Sequence, residues 1–415
     1  MTLAYEQDRT VSDVTAPALT VLIVHNEYLN RGGEESVLES ERDLLRAYGH
    51  RVEVFKMSAK SLKSPMDKLR AARNLTYSES SKQAVIEEIR RVGPDVVHVH
   101  NFVPLLTPSV FDACQESGVP VVQTLHNFRY LCSASSLFRA GRVCEDCIAG
   151  SHYQAVLHRC YRGSAVQSLL HAHMLTTHEH KGTWARKVDR FIAVSNFAKG
   201  KYVEGGFRPD QIEVKHNFVS KDLENPQARG EVVASRTRAV FVGRLTPEKG
   251  VLTMLRAWQD LRMPLDIVGD GPLLEELQRA TLPNVTVHGR KSREETVAMM
   301  RSAKALIMPS EWYEACPMVL IEAMSQSTPI ITTNLGGMAE LVIDGQTGLQ
   351  FPPGDSAALA ERARWALSHP AEFQELGRRG RKRFEEQFTA SRNYARLMEI
   401  YGAVIAEKRA MVNAR

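Results

Sequence analysis

The sequence predicts an α/β protein made of two Rossmann-like, doubly wound domains that face each other across a cleft. Three observations carry this expectation. Short apolar runs alternate with helical patterns from one end of the chain to the other. A single polar, aperiodic stretch, Ser220–Arg236, interrupts that alternation. At 415 residues the chain is also too long for one ordinary core. Buried strands separated by helices pack as parallel sheets with crossover helices, and ligands then bind at the carboxyl ends of the strands.

In the first half, Leu19–Val24, Val52–Phe55, Val96–Val99 and Val119–Leu125 read as strands, and Arg190–Val194 and Ile212–Lys215 extend the series. Helical spacing covers Glu34–Tyr48, Gln83–Arg91 and Ser109–Ser117. Ser220–Arg236 contains Pro226 and Gly230 and marks a domain boundary. Beyond it, strands are expected at Ala239–Val242, Leu265–Val268, Val285–Val287, Ala305–Met308 and Ile330–Thr332. Helices fit Gly250–Leu261, Leu273–Thr281, Arg293–Ser302, Pro317–Gln326 and Asp355–Ser368. The expected division is a flexible leader at 1–17, a first domain at 18–220, a second at 237–390, and a tail from 391 to 415.

Composition excludes several classes. Hydrophobic residues make up 43% and charged residues 24%, which fits a globular protein and not a disordered, collagen-like or disulfide-built chain. No run approaches the ~18–20 apolar residues that span a bilayer. The polar Met1–Pro17 lacks the apolar centre of a signal peptide, so a cytoplasmic chain is expected. A formal charge of +5 is too small to indicate nucleic acid. Lys56, Lys60, Lys63, Lys68, Arg70 and Arg73 cluster with Asp67 as the only acid among them. They are either a solvated face or a contact with anionic lipid at the inner face of the plasma membrane, worth about 1 kcal/mol per charge. Arg378, Arg379, Arg381, Lys382 and Arg383 read as the exposed side of a helix.

Three motifs in the second half carry chemistry. Val242–Gly250 follows a strand and opens a helix. Gly243 permits a tight turn, and Arg244 and Lys249 project over the helix start, where cations and backbone N–H groups make a diphosphate site. Ile267–Pro272 ends the next strand with Gly269 and Gly271, which allow close approach. Met308–Met324 passes from strand through loop to helix. Glu314 sits before the helix start and Glu322 inside it, with the N–H groups of Cys316, Met318 and Val319 facing an anion. Glu322 can hold the paired hydroxyls of a ribose or serve as an ion-paired structural carboxylate.

In this order the three elements resemble the family-4 retaining glycosyltransferases of the GT-B fold. The Glu-x7-Glu pattern is met by Glu314 and Glu322, and Asn334–Leu341 and Gly345–Leu349 match the stretches that follow. The resemblance implies that Arg244 and Lys249 grip the donor diphosphate, that Glu314 contacts the transferred sugar and Glu322 the ribose. It also implies that Val319 and Leu320 approach the donor through their backbone, and that a final helix, matched by Ser391–Ala406, crosses back to the first domain. In the first half it places a glycine-rich loop at Arg31-Gly32-Gly33, near the donor phosphates and acceptor, and a histidine contacting the donor sugar at His126. His98, His100 and Asn101 form a second polar strand end on the expected acceptor side. His216-Asn217-Phe218-Val219 departs from the family's usual hinge.

Four of the six cysteines, Cys132, Cys144, Cys147 and Cys160, fall in an insert at about residues 128–165, spaced Cys-x11-Cys-x2-Cys-x12-Cys. This spacing is compatible with a structural zinc, with His152 and His158 as alternative ligands. A redox pair or unligated thiols also fit. Similar inserts occur in a subset of the resembled family.

The expected reaction is transfer of a sugar from a nucleoside-diphosphate sugar to a hydroxyl of a glycan or lipid-linked saccharide in cell-surface polysaccharide synthesis, with retained configuration. The chain has no Asp-x-Asp pair to clamp a metal on the diphosphate, so no cofactor is expected for catalysis. A silent GT-B scaffold, or an epimerase or phosphorylase of the same architecture, is the alternative.

Overall fold

The computed structural model describes residues 17–27, 32–220, 236–279 and 282–413. The leader, Arg31 and most of the expected linker therefore lie outside the described residues. Two six-stranded, all-parallel sheets form the frame. The first contains β1 (Thr20–Glu27), β2 (Arg51–Ser58), β3 (Val96–Asn101), β4 (Val121–Leu125), β7 (Arg190–Ala193) and β8 (Ile212–Val214), in the order β2-β1-β3-β4-β7-β8. A two-stranded hairpin, β5 (Phe138–Arg139) and β6 (Arg142–Val143), stands apart from it. The second sheet contains β9 (Ala239–Val242), β10 (Leu265–Val268), β11 (Val285–Gly289), β12 (Ala305–Met308), β13 (Ile330–Thr333) and β14 (Leu349–Phe351), in the order β11-β10-β9-β12-β13-β14.

The doubly wound α/β expectation is met. β1 is buried continuously from Val21 to Asn26 and does not alternate, as befits a strand covered by helices on both faces. In each sheet the strand order reverses once, between β1 and β3 and between β9 and β12. Those switch points open a crevice at the strand ends, and the motif loops leave from there.

The helix Ala390–Asn413 is longer than the sequence pattern indicated. It buries Tyr394, Leu397, Tyr401 and Val404 with Val21, Ile23, Leu44 and Val96 of the first domain, so it crosses back. Each such side chain contributes roughly 1.5–3 kcal/mol when fully buried. The arginine run needs a correction. Arg378 and Arg379 are paired on the surface with Glu375, but Arg381 and Arg383 turn inward to the carbonyls of Ser325 and Glu340. They join the helix Pro370–Gln387 to the helices ending near those residues.

Candidate active site

The second domain brings the loops after β9 and β12 together. Gly250 ends the 3-10 turn Pro247–Lys249 at φ +68°, and a Cβ there would lie 1.9 Å from the Pro309 carbonyl oxygen. No other residue fits this crossing. The Glu311 amide donates to the Glu248 carbonyl at 2.8 Å, and the Thr253 hydroxyl to the Glu311 carboxylate at 2.6 Å. Gly269 allows a third loop to join, since a Cβ on it would stand 1.8 Å from the Gly243 oxygen.

This assembly places Lys249 directly on Glu314. The ammonium ion-pairs with Glu314 Oε1, which also accepts from Trp312 Nε1 at 2.7 Å and Ser310 Oγ at 3.2 Å. The Lys249 ammonium lies 5.4 Å from the Trp312 ring centre. Arg244 stands exposed at the mouth of the same loop. The helix Met318–Ser325 begins at Pro317 with no side-chain cap, so the first-turn N–H groups of Met318 and Val319 keep their donor capacity. Cys316, just ahead of it, is buried and its thiol is pushed up to about 12 by that burial. It is therefore inert, and only its backbone is offered to a ligand. Leu320 is fully buried.

Glu322 lies on the fifth residue of that helix, half-buried; its carbonyl accepts from the Ser325 hydroxyl at 2.7 Å, while its carboxylate has no hydrogen bond or ion pair among the described residues. Burial raises its carboxyl above the usual range, and Arg293 is the only charge that opposes the shift.

In the first domain Gly32 caps the helix Gly33–Ala47, and its amide donates to Glu35 Oε2 at 2.8 Å. A Cβ on Gly33 would meet nothing within 4 Å, so packing does not require that glycine. His126 is half-buried just past β4, and its Nε2 bonds His100 Nδ1 at 2.9 Å. Burial holds both imidazoles well below their usual pKa, which keeps them neutral. Phe128, two residues beyond His126, meets Tyr313 at 6.3 Å between ring centres. The His126 loop and the Glu314 loop thus face each other.

The expectation for His98, His100 and Asn101 is corrected. They are 0%, 2% and 0% exposed and form the interior floor beneath the cleft, not its wall. His98 bonds Tyr401 of the crossing helix and Thr124, each at 2.7 Å. Glu41 approaches His100 Nε2 at 3.4 Å and ion-pairs with buried Lys215. Glu41, His98 and His100 are the group of ligand-type atoms within 4.8 Å of one another among the described residues. The Lys215 ammonium already supplies the cation there. Glu41 and Lys215 were missed from sequence, although a carboxylate within the apolar stripe Val37, Leu38, Glu41, Leu44, Leu45 is a readable signal.

Residues 31–223 match the family described as Glycosyltransferase Family 4, and residues 227–383 match Glycosyl transferases group 1. Each half of the chain is thus matched by a glycosyltransferase family model, the first by that of family 4. This glycosyltransferase is 26% identical over 342 residues to the glycosyltransferase MJ1178 of Methanocaldococcus jannaschii, a match covering 75% of this chain and 94% of that one. It is 37% identical over 157 residues to the D-rhamnosyltransferase WbpZ of Pseudomonas aeruginosa, but there the match covers 36% of this chain and 41% of the relative. Among solved structures, sucrose-phosphate synthase of Thermosynechococcus elongatus superposes with a TM-score of 0.69 at 19% identity, covering 94% of this chain and all of that one. Anabaena HepE in complex with UDP gives 0.65 at 18%, covering 93% and 100%. These likenesses establish the GT-B fold.

The two domains of the glycosyltransferase are also latched directly. Glu340 accepts from the Asn196 amide at 2.9 Å, the Asn196 side chain at 2.9 Å and the Phe197 amide at 2.7 Å. Ser195 Oγ donates to the Ala315 carbonyl at 2.6 Å, and Asn217 Nδ2 to the Cys316 carbonyl at 3.1 Å. Asn217 of the unusual hinge thus holds the loop that ends in Cys316. Glu340 had appeared in the sequence only as part of a matching stretch.

Proposed function

We propose that this glycosyltransferase moves a sugar from a nucleoside-diphosphate sugar to a hydroxyl of a glycan or lipid-linked saccharide, with the anomeric configuration retained, in building cell-surface polysaccharide. The observation that carries the reading is the Lys249–Glu314 pair at the β9/β12 switch point. An arriving diphosphate competes with Glu314 for the Lys249 ammonium. Once Lys249 turns to phosphate, the Glu314 carboxylate is released to accept hydrogen bonds from the sugar. Arg244, Gly243 and the open N–H groups ahead of Val319 and Leu320 complete the anion site, and the unpaired Glu322 takes the ribose diol. From the opposite wall, Gly32 and Gly33 leave room for the donor phosphates and acceptor, and neutral His126 meets a sugar hydroxyl.

In the reaction the acceptor oxygen bonds the anomeric carbon on the face from which the phosphate oxygen departs. The departing phosphate takes the acceptor proton. Arg244, Lys249 and the helix N-terminus stabilise its growing charge without a divalent metal. Activity that survives EDTA supports this; activity that returns only with added magnesium contradicts it. The D-rhamnosyltransferase and the Escherichia coli O-antigen chain mannosyltransferase among the relatives favour a polysaccharide acceptor.

The helix Pro65–Asn74 suits a peripheral contact with anionic membrane. It has no buried residue, Met66 and Leu69 are 66% and 65% exposed, and Lys63, Lys68, Arg70 and Arg73 surround them. No described helix is long and apolar enough to cross a membrane. Donor binding is tested by thermal shift with UDP, GDP, ADP and their common sugars, followed by hydrolysis assays on the hits. Stabilisation that disappears in Arg244→Ala is expected, and an unchanged shift in that variant would overturn the diphosphate site.

A further inference from the structure

The cysteine-bearing segment Phe128–Ser164 is built from little regular structure. It holds the β5/β6 hairpin, with two residues per strand, and two four-residue helices, Asp146–Ala149 and Gln154–Leu157. It also concentrates backbone strain. Of the seven described non-glycine residues at positive φ, five fall here: Ser135, Leu137, Ala140, Arg159 and Arg162, at 64°, 49°, 50°, 49° and 52°. Each costs on the order of 1–3 kcal/mol and persists only where the surroundings impose it.

Cys132, Cys144, Cys147 and Cys160 come from separate turns of this segment, yet all four wall one cavity. Its free space is about 10 Å³, the scale of a single ion or water. Neither His152 nor His158 lines it. His152 instead faces Glu179 at 3.3 Å, and Asp146, which also lines the cavity, is ion-paired with Arg139 at 2.7 Å, which leaves the four sulfurs as the donors.

The tight pair also carries Glu145, whose carboxylate ion-pairs with Lys201 at 2.8 Å and stands near the Tyr313 hydroxyl. Tyr313 is the residue before Glu314 in the second domain. The knuckle between Cys144 and Cys147 thus reaches across the cleft to the donor loop.

We propose that Cys132, Cys144, Cys147 and Cys160 bind one structural zinc ion, and that this clip holds Glu145 against Tyr313 and so positions the loop that carries Glu314. The thiols give up their protons as they ligate. No three of the four sulfurs lie within 4.8 Å of one another here, so closing a tetrahedron with Zn–S bonds of ~2.3 Å draws them inward. Four thiolates leave no open coordination position, so the ion takes no part in the chemistry.

The test is metal analysis of the full chain purified without added metal. One zinc per chain is expected, released stoichiometrically by a mercurial and read with a chelating dye. A metal-free chain, iron in place of zinc, or a reversible Cys144–Cys147 disulfide would overturn the site. The measurement on the unaltered chain stands even if Cys144→Ser fails to fold. Glu145→Gln should keep its zinc but lower kcat/KM several-fold, and Tyr313→Phe added to it should cost little more. An unchanged kcat/KM in Glu145→Gln refutes the positioning role and leaves the donor-site reading intact, because donor-induced stabilisation is measured separately.

Discussion

The two halves of the cleft are built on opposite principles. On the donor side, charge is placed where a ligand can reach it. Lys249 and Glu314 are paired at the surface of the switch point, Arg244 is exposed and Glu322 is unpaired. On the amino-terminal side, charge is sealed beneath the floor. Glu41 and Lys215 neutralise each other in the interior, and His98 and His100 are buried and neutral. Among the described residues, half-buried His126 and the open Gly32-Gly33 turn remain on the cleft side. Under the proposed function, one wall rearranges its ion pairs around a diphosphate, while the other is a rigid surface presented to hydroxyl groups.

The sharpest way to break this contrast is to remove the mobile charge. Lys249→Ala deletes the cation shared by Glu314 and the proposed phosphate, and Arg244→Ala deletes its neighbour. Loss of one stabilising donor of this kind lowers kcat by about 10²–10³, and steady-state kinetics with the donor found by thermal shift should show it. A loss under tenfold in both variants would mean that the β9 loop does not hold the leaving group.

Glu322 gives the next effect. The hydrogen bonds proposed between it and a ribose would be charge-assisted, worth about 1.5–3 kcal/mol, so Glu322→Gln should weaken nucleotide binding by roughly ten- to a hundredfold. Its folded carboxyl lies above the usual 4.5. The folded state therefore binds the extra proton, and its stability falls as pH rises from 4.5 through the raised value. Glu322→Gln should leave the free protein as stable or more so at neutral pH, because an unpartnered buried carboxylate is removed. Nucleotide affinity, which needs the ionised form, should fade at a higher pH than an ordinary carboxylate site on acidification, and the variant should flatten that dependence. Calorimetric titration across pH reads both.

The rigid wall predicts the reverse pH behaviour. Burial lowers His98 from 6.5 to about 4, and His100 and His126 shift the same way. The unfolded chain takes up protons near 6.5 that the folded chain refuses until much lower pH. Stability is therefore fully present above 6.5 and is lost as pH falls toward 4, by roughly 2–3 kcal/mol for a shift of this size at one site. Urea midpoints that do not move between pH 7 and 5 would show that the histidine floor is open to water.

What the sequence revealed follows the same division. Donor-side motifs are contiguous, because a strand end, a tight turn and a helix start lie within a few residues. Arg244, Lys249, Glu314 and Glu322 thus stand out as local motifs, and the resemblance to family-4 glycosyltransferases supplied the roles expected of them. The Glu41–Lys215 pair joins residues 174 apart, and Glu340 meets Asn196 across 144. Such pairs exist only once the sheets have formed and the last helix has crossed back, and no local pattern announces them. Strand and helix periods were legible for the same reason as the motifs. The short elements of the cysteine insert, set by turns and not by periodicity, were not.

The smallest effect is the most discriminating test of the contrast, and it compares two glycines. Gly250 is required by the protein's own packing, since any Cβ collides with the Pro309 carbonyl. Gly33 is not. It lies in the first turn of a helix with nothing within 4 Å of an added Cβ, where replacing glycine by alanine normally stabilises by about 0.4–1 kcal/mol. Gly33→Ala should therefore raise the melting temperature slightly while raising KM for donor or acceptor, because the methyl occupies space kept for a substrate. If stability rises and KM does not change, the open turn does not face the bound substrates, and the amino-terminal wall of the site must be drawn from His126 and its neighbours instead.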